Sequence, residues 1–446
     1  MSMPVSDSAI IILGASGDLA KRRLIPALER LFHKKEIDDT CRVIGSGRTP
    51  FSHDEFRAHF DRDKEFSKLL YYHQGMEGIR DFVFSLKDFK RVIIFFSLPP
   101  KVYAHTAAEL HKEGFRDEAT LIIEKPFGYD LESARKLNAD LQRYFHELQI
   151  FRIDHYLAKE AVQNILVFRF ANAVFYPIWN SRYIDSIQIN ALEDIGVEDR
   201  GAYFDGAGII RDMVQNHLMQ LLSLLTMEAP INLEAEEIRI QKMQILKALE
   251  IKRWAKMQYR GYHDEKGVPE DSRTETYAEL EMTINNFRWT GIPIYVRTGK
   301  AVHRKGTEIG IRFKPGPNLL YNTEGQIPPN QIIFNIQPDA GIVMDFIARE
   351  PGGSGRISST NMTFCYSSSF LDAEIPEAYQ RLLLDAIKGD RTLFVSAEET
   401  ELSWEKFTPT LQQETPGIYE RGALPASPLG IDWIDFDKYG SACRMD

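Results

Sequence analysis

A short apolar strand, a glycine turn and a helix follow one another near the start of the chain, and this arrangement constrains the fold more than any other feature. Residues 9–13 read AIIIL, residues 14–20 read GASGDLA, and a helical pattern begins at Lys21. Glycines let the backbone approach a pyrophosphate, and the start of a helix supplies free N–H groups and a favourable dipole. The G-x-x-G spacing alone is also found in plain turns, but its place after the first strand favours a nucleotide-binding unit.

The alternation of short apolar runs and helical patterns continues through the first third of the chain. Further apolar runs lie at 43–44, 92–96 and 121–123, another strand is predicted at 149–153, and helical patterns lie at 21–33 and 102–113. Strands that are apolar throughout and alternate with helices are typical of a parallel sheet covered on both faces. We therefore expect an α/β, Rossmann-like, doubly wound domain over residues 1–154.

Beyond about residue 154 the pattern changes to that of an α+β domain. Residues 276–284 and 332–336 alternate apolar and polar side chains, which indicates an antiparallel sheet with one face buried. Helical patterns are interspersed, at 213–225, 233–249, 376–387 and 397–407. We therefore predict a larger α+β domain over residues 155–446, with a predominantly antiparallel sheet and a poorly regular tail after residue 411 that packs across the surface.

Charge and cysteine content exclude several functions. The chain has 54 basic and 64 acidic residues and a net charge of −10, whereas a general nucleic-acid binder is usually basic. Cys41, Cys365 and Cys443 are too few and too far apart to predict a disulfide framework or a zinc site, so we expect no metal. Because we find no secretory signal and no apolar run long enough to cross a membrane, the sequence predicts a cytoplasmic protein.

The residue that follows the second predicted strand indicates the cofactor. An Asp or Glu there would hydrogen-bond the ribose 2′-hydroxyl of NAD, but this chain has Arg48. A guanidinium group matches the geometry of a phosphate, so Arg48 favours NADP and can tolerate NAD as well. The alternative is an ordinary solvated arginine in a loop.

Polar residues cluster where the predicted parallel sheet ends. Residues 152–160 read RIDHYLAKE and follow the last strand at its carboxyl end, the edge where open α/β sheets bind ligands. If a helix begins after Asp154, His155 and Lys159 lie on one face and can grip one phosphate. The alternative is a helix start with exposed charges.

A second cluster, RDMVQNHL at 211–218, enters an apolar helix and contains His217. A buried histidine is usually just hydrogen-bonded by a neighbour. A carboxylate such as that of Asp154, however, would fix the tautomer of His217 and raise its basicity, as a general base requires.

Two further clusters supply cations. EKPFG follows the strand at 121–123 and would place Lys125 at the sheet edge, between cofactor and substrate. RTGK at 297–300, followed by Lys305, adds cations after a strand, although a basic hairpin is the alternative.

In their order along the chain, these segments resemble the glucose-6-phosphate dehydrogenase family. The matching motifs are GASGDLAK, SLPP, EKPFGYDLESARKLN, RIDHYLAKEAVQNILVFRFAN, GIIRDMVQNHLMQLL and RWTGIPIYVRTGK. Several long motifs in one order are far more specific than a single glycine pattern. The resemblance implies an oxidoreductase that moves a hydride from C1 of glucose 6-phosphate to NADP and yields a 6-phosphogluconolactone.

The resemblance also implies a role for each matching residue. The cofactor would be bound by Gly14, Ala15, Ser16, Gly17, Asp18, Leu19, Ala20, Lys21, Arg48, Tyr103 and Lys125. The sugar phosphate would be held by Lys125, His155, Tyr156, Lys159, Glu193, Asp212, Lys300 and Lys305. His217 would be the general base, oriented by Asp154, and Pro126 would be a hinge between the two domains.

Several positions depart from the family's pattern. Ala158 stands where the family usually has Gly, Tyr176 stands where it usually has Glu, and the C-terminal residues resemble its ending only loosely. Leu192 stands where animal relatives carry a Lys for a second, structural NADP, so we predict no such site. The resemblance implies a homodimer or homotetramer that pairs through the large sheet.

Two other functions fit part of the sequence. Glu193 and Asp212 could pair an amine as well as hydroxyls, so a dehydrogenase for another hexose or amino-sugar 6-phosphate is one alternative. A non-catalytic binding protein with the same fold is the other, but it should have lost a proton acceptor, and both Asp154 and His217 are present. We predict no nucleic-acid and no membrane partner.

Overall fold

The computed structural model describes residues 4–316, 327–352, 356–371, 374–412, 414–440 and 442–443. Its strands in chain order are β1 (Ser8–Leu13), β2 (Arg42–Gly47), β3 (Leu70–Gln74), β4 (Arg91–Phe96), β5 (Ala119–Ile123), β6 (Ile150–Ile153), β7 (Ile184–Leu192), β8 (Leu249–Tyr259), β9 (Tyr277–Ile284), β10 (Ile294–Gly299), β11 (Gly306–Phe313), β12 (Gln331–Gln337), β13 (Gly341–Arg349), β14 (Ile357–Cys365), β15 (Phe394–Val395) and β16 (Gly417–Tyr419).

The α-helices are α1 (Ile25–His33), α2 (His53–Phe60), α3 (Lys64–Ser67), α4 (Ile79–Leu86), α5 (Tyr103–Lys112), α6 (Leu131–Gln142), α7 (Glu160–Ala171), α8 (Gly201–Ile209), α9 (Met219–Thr226), α10 (Ala235–Ala248), α11 (Tyr366–Ser369), α12 (Ala378–Lys388) and α13 (Ala397–Phe407). The π-helical segments Ala20–Leu24 and Ile210–Leu218 lead into α1 and α9. Short 3₁₀ helices lie at Pro100–Val102, Glu147–Gln149, Tyr176–Ile178, Glu198–Arg200, Tyr262–Asp264, Thr408–Leu411 and Phe436–Lys438. None of the described helices is both long and apolar enough to span a membrane.

The chain folds into two compact units, and neither is one continuous stretch. The first unit comprises Met1–Ala158, Pro230–Ile240 and Ile375–Trp404, and the second comprises Lys159–Ala229, Gln241–Glu374 and Glu405–Asp446. The sequence did not indicate that the two later segments return to the first unit, because helical periodicity does not reveal which sheet a helix covers. The predicted domain boundary after residue 154 stays a prediction.

The first unit contains a seven-stranded sheet in the order β15-β6-β5-β4-β1-β2-β3. Strands β1 to β6 are parallel to their neighbours, and β15 is antiparallel to β6. β1 is buried at every position, and β4 at every position but Arg91. This confirms the predicted doubly wound domain. The strand order reverses at β1 and β4, which is where such sheets bind ligands.

The second unit contains a nine-stranded sheet in the order β14-β13-β12-β11-β7-β10-β9-β8-β16. β10 is parallel to β7 and β16 is parallel to β8, whereas the other neighbours are antiparallel. The prediction of a predominantly antiparallel sheet with interspersed helices is therefore confirmed.

The prediction that only one face of this sheet is buried is wrong for its central strands. β7 is buried at every position except Asp185. The cover is the C-terminal segment, by which we mean residues 414–440 and 442–443. Gln188 of β7 donates to the Asp432 carbonyl oxygen at 3.0 Å and accepts the Ile434 N–H at 2.7 Å. Polar side chains on this face thus bond to the C-terminal segment rather than to water, so their alternation with apolar residues did not reveal the cover.

A disulfide fixes the end of the C-terminal segment. Cys443 is bonded to Cys365, the last residue of β14, and the two lie 78 residues apart in the sequence. The expectation of no disulfide is therefore wrong. The number and spacing of cysteines could not reveal a pair that meets only because the C-terminal segment crosses the sheet.

Candidate active site

The turn after β1 packs closely against the end of β2 and the residue that follows β4. Gly14 has a φ of +82°, and a Cβ at this position would lie 2.2 Å from the Ser97 carbonyl oxygen. The N–H groups of Gly14 and Ala15 both donate to the Ser46 carbonyl oxygen, at 2.8 and 3.1 Å. Ser16, Gly17, Asp18 and Lys21 are exposed, Leu19 is half-buried, and Ala20 is buried at the start of the helix. The turn therefore leaves residues 16–18, next to the helix start, accessible to a ligand.

Arg48 directly follows β2, the strand next to β1, and its side chain is exposed. Its carbonyl oxygen accepts a hydrogen bond from Gln74 at 3.5 Å. In the described part of the chain its guanidinium group has no ion-pair partner. A guanidinium group at this edge of the sheet can pair with an anionic group of a ligand.

The residues after β5 form a hydrogen-bonded group around Glu124. Tyr103 is fully buried, and its hydroxyl donates to the Glu124 carbonyl oxygen at 3.1 Å. The hydroxyl of Tyr379 donates to the Glu124 carboxylate at 2.9 Å. The next peptide bond, between Lys125 and Pro126, is cis. Tyr103 and Tyr379 thus hold the residue that precedes Lys125.

Burial raises the pKa of Glu124 from 4.5 to about 7, and the nearby Asp154 carboxylate adds to this effect. The hydrogen bond from Tyr379 and the charge of Lys125 act in the opposite direction. Sequence reasoning did not single out Glu124 or Tyr379. A glutamate after a strand gives no sign that its carboxyl group will be largely withdrawn from water, and Tyr379 lies in a distant part of the chain.

The residues after β6 form a turn rather than a helix. Asp154 is 3% exposed, and its Oδ1 accepts the Tyr156 N–H at 3.0 Å. The ring of His155 lies 5.1 Å from that of Tyr156. α7 begins only at Glu160, and Lys159 has an extended ψ of 131°. The conditional expectation that His155 and Lys159 share one helix face is therefore wrong, because the Asp154 side chain bonds to the backbone and the chain turns there.

In the second unit, Glu193, Asp212 and Lys300 lie together. Lys300 is 7% exposed; its ammonium contacts the Glu193 carboxylate and lies 3.6 Å from that of Asp212. The ammonium also lies 5.1 Å from the centre of the Phe204 ring. Carboxylates and an ammonium in such an arrangement can accept from and donate to sugar hydroxyls. Sequence reasoning missed Phe204, because an aromatic residue in an apolar stretch is usually core.

Lys159 lies in the same unit, next to β12. Its ammonium donates to the Gln337 side-chain oxygen at 2.7 Å, and the Gln337 amide donates to Thr307 at 3.1 Å. Gln337 and Thr307 were also not predicted, because an amide and a hydroxyl on strands carry no pattern of their own. Together they hold the Lys159 ammonium in place.

His217 lies in the π-helical segment Ile210–Leu218 and is 1% exposed. Its backbone N–H donates to the Asn216 side-chain oxygen at 2.6 Å. His217 and Asp154 belong to different units, so their pairing stays a prediction.

Glu275 fixes the start of that helical segment. Its carbonyl oxygen accepts the Ile209 N–H at 3.0 Å, and its carboxylate accepts the Ile210 N–H at 3.3 Å. Gly208 has a φ of +75°, and a Cβ there would lie 2.5 Å from the Glu275 carboxylate. Burial raises the pKa of Glu275. This capping glutamate was not predicted, because it precedes a strand far from the helix in the sequence.

Comparison with known proteins gives one family over nearly the whole chain. A model described as glucose-6-phosphate dehydrogenase, NAD binding domain, matches residues 11–164, and the model for the C-terminal domain matches residues 166–427. The glucose-6-phosphate 1-dehydrogenase of Bacillus subtilis is 39% identical over 441 residues, which cover 89% of each chain. The protein of the same name from Dictyostelium discoideum is 38% identical over 444 residues, covering 91% of this chain and 88% of its own.

Solved structures give the same result. A glucose-6-phosphate dehydrogenase in complex with its substrate glucose-6-phosphate has a TM-score of 0.89 and 33% identity, and the match covers 96% of this chain and 97% of the other. The glucose-6-phosphate 1-dehydrogenase of Mycobacterium avium has a TM-score of 0.85 and 32% identity over 95% of each chain. The similarity in sequence and fold therefore spans both halves of the chain.

Proposed function

Because the chain belongs to the glucose-6-phosphate dehydrogenase family, we propose that it oxidises glucose 6-phosphate at C1 to 6-phosphogluconolactone, with NADP as the hydride acceptor. The observation that carries this proposal is the similarity over 96% of the chain to a dehydrogenase solved with glucose 6-phosphate. The carboxylates of Glu193 and Asp212 around the Lys300 ammonium give it local support.

Residues of the first unit would bind the cofactor, which when bound supplies the hydride acceptor. The exposed residues 16–18 of the glycine turn, next to the helix start, would lie against its pyrophosphate. Arg48 would pair with the 2′-phosphate of NADP. Lys125, at the carboxyl edge of the same sheet, would approach both cofactor and sugar.

The sugar phosphate would be held by cations and its ring by carboxylates. His155, Tyr156, Lys159 and Lys305 would hold the phosphate or the adjacent part of the sugar. The ring hydroxyls would hydrogen-bond to Glu193, Asp212 and Lys300. These contacts would select sugars whose hydroxyls have the matching position and orientation.

His217 would take the proton of the C1 hydroxyl as the hydride leaves C1, and Asp154 would orient its imidazole. His217→Asn should lower kcat by roughly 100-fold to 10,000-fold, the scale of general-base loss, while sugar binding survives. His263→Asn is a matched control, since His263 is an exposed histidine of the same unit. If turnover holds in His217→Asn and only affinity falls, His217 is not the base.

Initial rates test the proposal directly. The purified protein is assayed for NADPH formation with glucose 6-phosphate, other hexose 6-phosphates and amino-sugar 6-phosphates, each with NADP and with NAD. We expect the highest kcat/KM for glucose 6-phosphate with NADP. A higher value for another sugar phosphate would favour the alternative substrate, and no reduction of either cofactor would overturn the proposal.

We also propose a homodimer or homotetramer in the cytoplasm, on the basis of the family resemblance and the sequence. Analytical ultracentrifugation measures the oligomeric state, and a monomer at micromolar concentration would contradict the proposed oligomer. Fractionation of cells that express the chain measures its location, and recovery outside the cytoplasmic fraction would contradict the proposed one.

A further inference from the structure

We propose that Asp437, in the C-terminal segment, is a positioning residue that holds the loop carrying Lys300 and Lys305 in place for sugar-phosphate binding. This inference rests on the proposed function, since it concerns affinity for the sugar phosphate. It adds a residue from the part of the chain that resembles the family least.

The first half of this loop, between β10 and β11, is fixed by backbone hydrogen bonds. The Tyr419 hydroxyl donates to the Lys300 carbonyl oxygen at 2.6 Å, and the Gly422 N–H donates to the Ala301 carbonyl oxygen at 2.7 Å. Both donors belong to the C-terminal segment. On the other side, the Val302 N–H donates to the Glu193 carbonyl oxygen at 3.1 Å. This half of the loop therefore has little freedom to move.

The second half of the loop is held by side chains that converge on Asp437. The Nε2 atom of His303 lies 2.9 Å from one carboxylate oxygen of Asp437, and the guanidinium of Arg304 contacts the other. Arg304 also donates to Glu308 at 2.6 Å, and Glu308 is 2% exposed. Arg304 therefore joins Asp437 to a buried carboxylate, and Asp437 is the residue that the side chains of both His303 and Arg304 contact.

Asp437 is itself well anchored. Its neighbour Phe436 is 1% exposed and packs with Ile434 above Gly310 of β11. Although burial alone would raise it, the hydrogen bond from His303 and the charge of Arg304 hold the pKa of the Asp437 carboxyl below its usual range. A charged carboxylate thus sits at a fixed point beside the loop.

Lys305 lies beside these residues at the rim of a cavity. The cavity has a volume of about 510 Å³, and its lining includes Lys305, Asp437, His303, Asp194 and Pro338. Within the described residues, the Lys305 ammonium has no ion-pair partner. His303, Arg304 and Lys305 are consecutive, so without Asp437 the two side chains that precede Lys305 would each lose one partner. We therefore expect Asp437 to affect how often Lys305 points at a bound sugar phosphate.

The test measures steady-state kinetics of the full-length protein with glucose 6-phosphate and NADP. Asp437→Asn should raise the KM for glucose 6-phosphate about fivefold, the scale of one partly exposed ion pair, while kcat, the KM for NADP and the Tm stay unchanged. Asp437→Glu should restore part of the affinity. Asp432→Asn is the matched control. Asp432 also lies in the C-terminal segment, and its substitution removes a 2.7 Å ion pair with Arg312 of β11 without affecting the loop.

A second variant keeps the test decisive if Asp437→Asn folds poorly. His303→Gln removes one of the two partners of Asp437, and it should raise the same KM by a smaller factor. An unchanged KM in both variants would overturn the inference, and so would a loss of kcat and Tm without a change in KM. If the wild type does not oxidise glucose 6-phosphate at all, the proposed function fails first, and the inference fails with it.

Discussion

Burial makes the carboxyl group of Glu124 a weaker acid than a free glutamate. It lies after β5, with the hydroxyl of Tyr379 at 2.9 Å and the charges of Lys125 and Asp154 nearby. Its pKa of about 7 lies above the 4.5 of a free glutamate. The folded protein therefore keeps this proton at pH values where the unfolded chain has already released it.

This proton linkage predicts how stability changes with pH. Between pH 4.5 and about 7 the folded state binds more protons than the unfolded state, so the free energy of unfolding falls as the pH rises. Glu124→Gln cannot ionise, and it should raise the Tm by a few degrees at pH 8 and much less at pH 5. The measurement is a thermal melt at both pH values, with Glu77→Gln, an exposed glutamate of the same unit, as control. An equal change in Tm at the two pH values would contradict the prediction.

Arg48 carries the prediction on cofactor choice. Arg48→Ala removes a charged partner for the 2′-phosphate, and it should raise the KM for NADP about 10-fold to 100-fold while that for NAD stays nearly constant. The control is Arg143→Ala, which removes an exposed arginine of the same unit that pairs with the half-buried Asp140. An equal rise of the KM values for NADP and NAD would show that Arg48 does not bind the 2′-phosphate.

Single residues also show what the sequence could and could not predict about the site. Charged side chains in motifs, such as Lys300 and Asp212, were identified, and the structure brings these two together. Their neighbours Phe204 and Glu275 were missed. The contact of the Phe204 ring with the Lys300 ammonium joins distant parts of the chain, and so does the capping of Ile210 by Glu275. A local sequence pattern does not encode such contacts.

At the scale of elements, the start of the helical segment that carries His217 is the feature most open to test. Gly208 has φ +75° and ψ 165°, a conformation that is essentially restricted to glycine. Gly208→Ala would press a Cβ against Glu275, and it should cost about 1–3 kcal/mol of stability and lower kcat by displacing the helix start. Melting temperature and kcat are the readouts.

Gly206→Ala is the matched control for that substitution. Gly206 lies in the same helix, and a Cβ there meets nothing within 4 Å. It should be neutral or stabilise by up to about 1 kcal/mol, because alanine favours a helix. Similar losses in the two variants would mean that the position of Gly208 has no special role.

Elements differed in how well the sequence predicted them. α13 covers the predicted residues 397–407, and α12 and α10 begin within two residues of the prediction. Of these helices, α12 has the clearest apolar periodicity. The turn after β6 was uncertain because a side-chain hydrogen bond from Asp154, rather than residue propensity, delays the start of α7 to Glu160.

At the scale of the whole molecule, the sequence predicted both sheets but not how the chain is shared between two units. The segments Pro230–Ile240 and Ile375–Trp404 return to the first unit, where β15 extends the parallel sheet. A two-residue strand such as β15 is too short to show any periodicity. The C-terminal segment was predicted to pack across a surface, but its hydrogen bonds to Gln188 and its disulfide were not.

The disulfide predicts that stability depends on redox conditions. Closing a loop of this length restricts the unfolded chain, so oxidised protein should be more stable than reduced protein by about 2–4 kcal/mol. Thermal melts with and without dithiothreitol measure this. A variant with both Cys365→Ser and Cys443→Ser serves as control and should not respond to the reductant. A wild-type Tm that is the same in both buffers would contradict the prediction.

The cover of the large sheet by the C-terminal segment has a consequence for biosynthesis. Ribosomes make this segment after the sheet that it covers, so Gln188 and Arg297 have no contact with Ile434 and Trp433 while the sheet is being synthesised. A nascent chain in which the C-terminal segment is still inside the exit tunnel would expose this face to chaperones and proteases. We expect limited proteolysis to cut within the sheet in nascent chains stalled at that point but not once the segment has left the tunnel, and resistance in the stalled chains would contradict this.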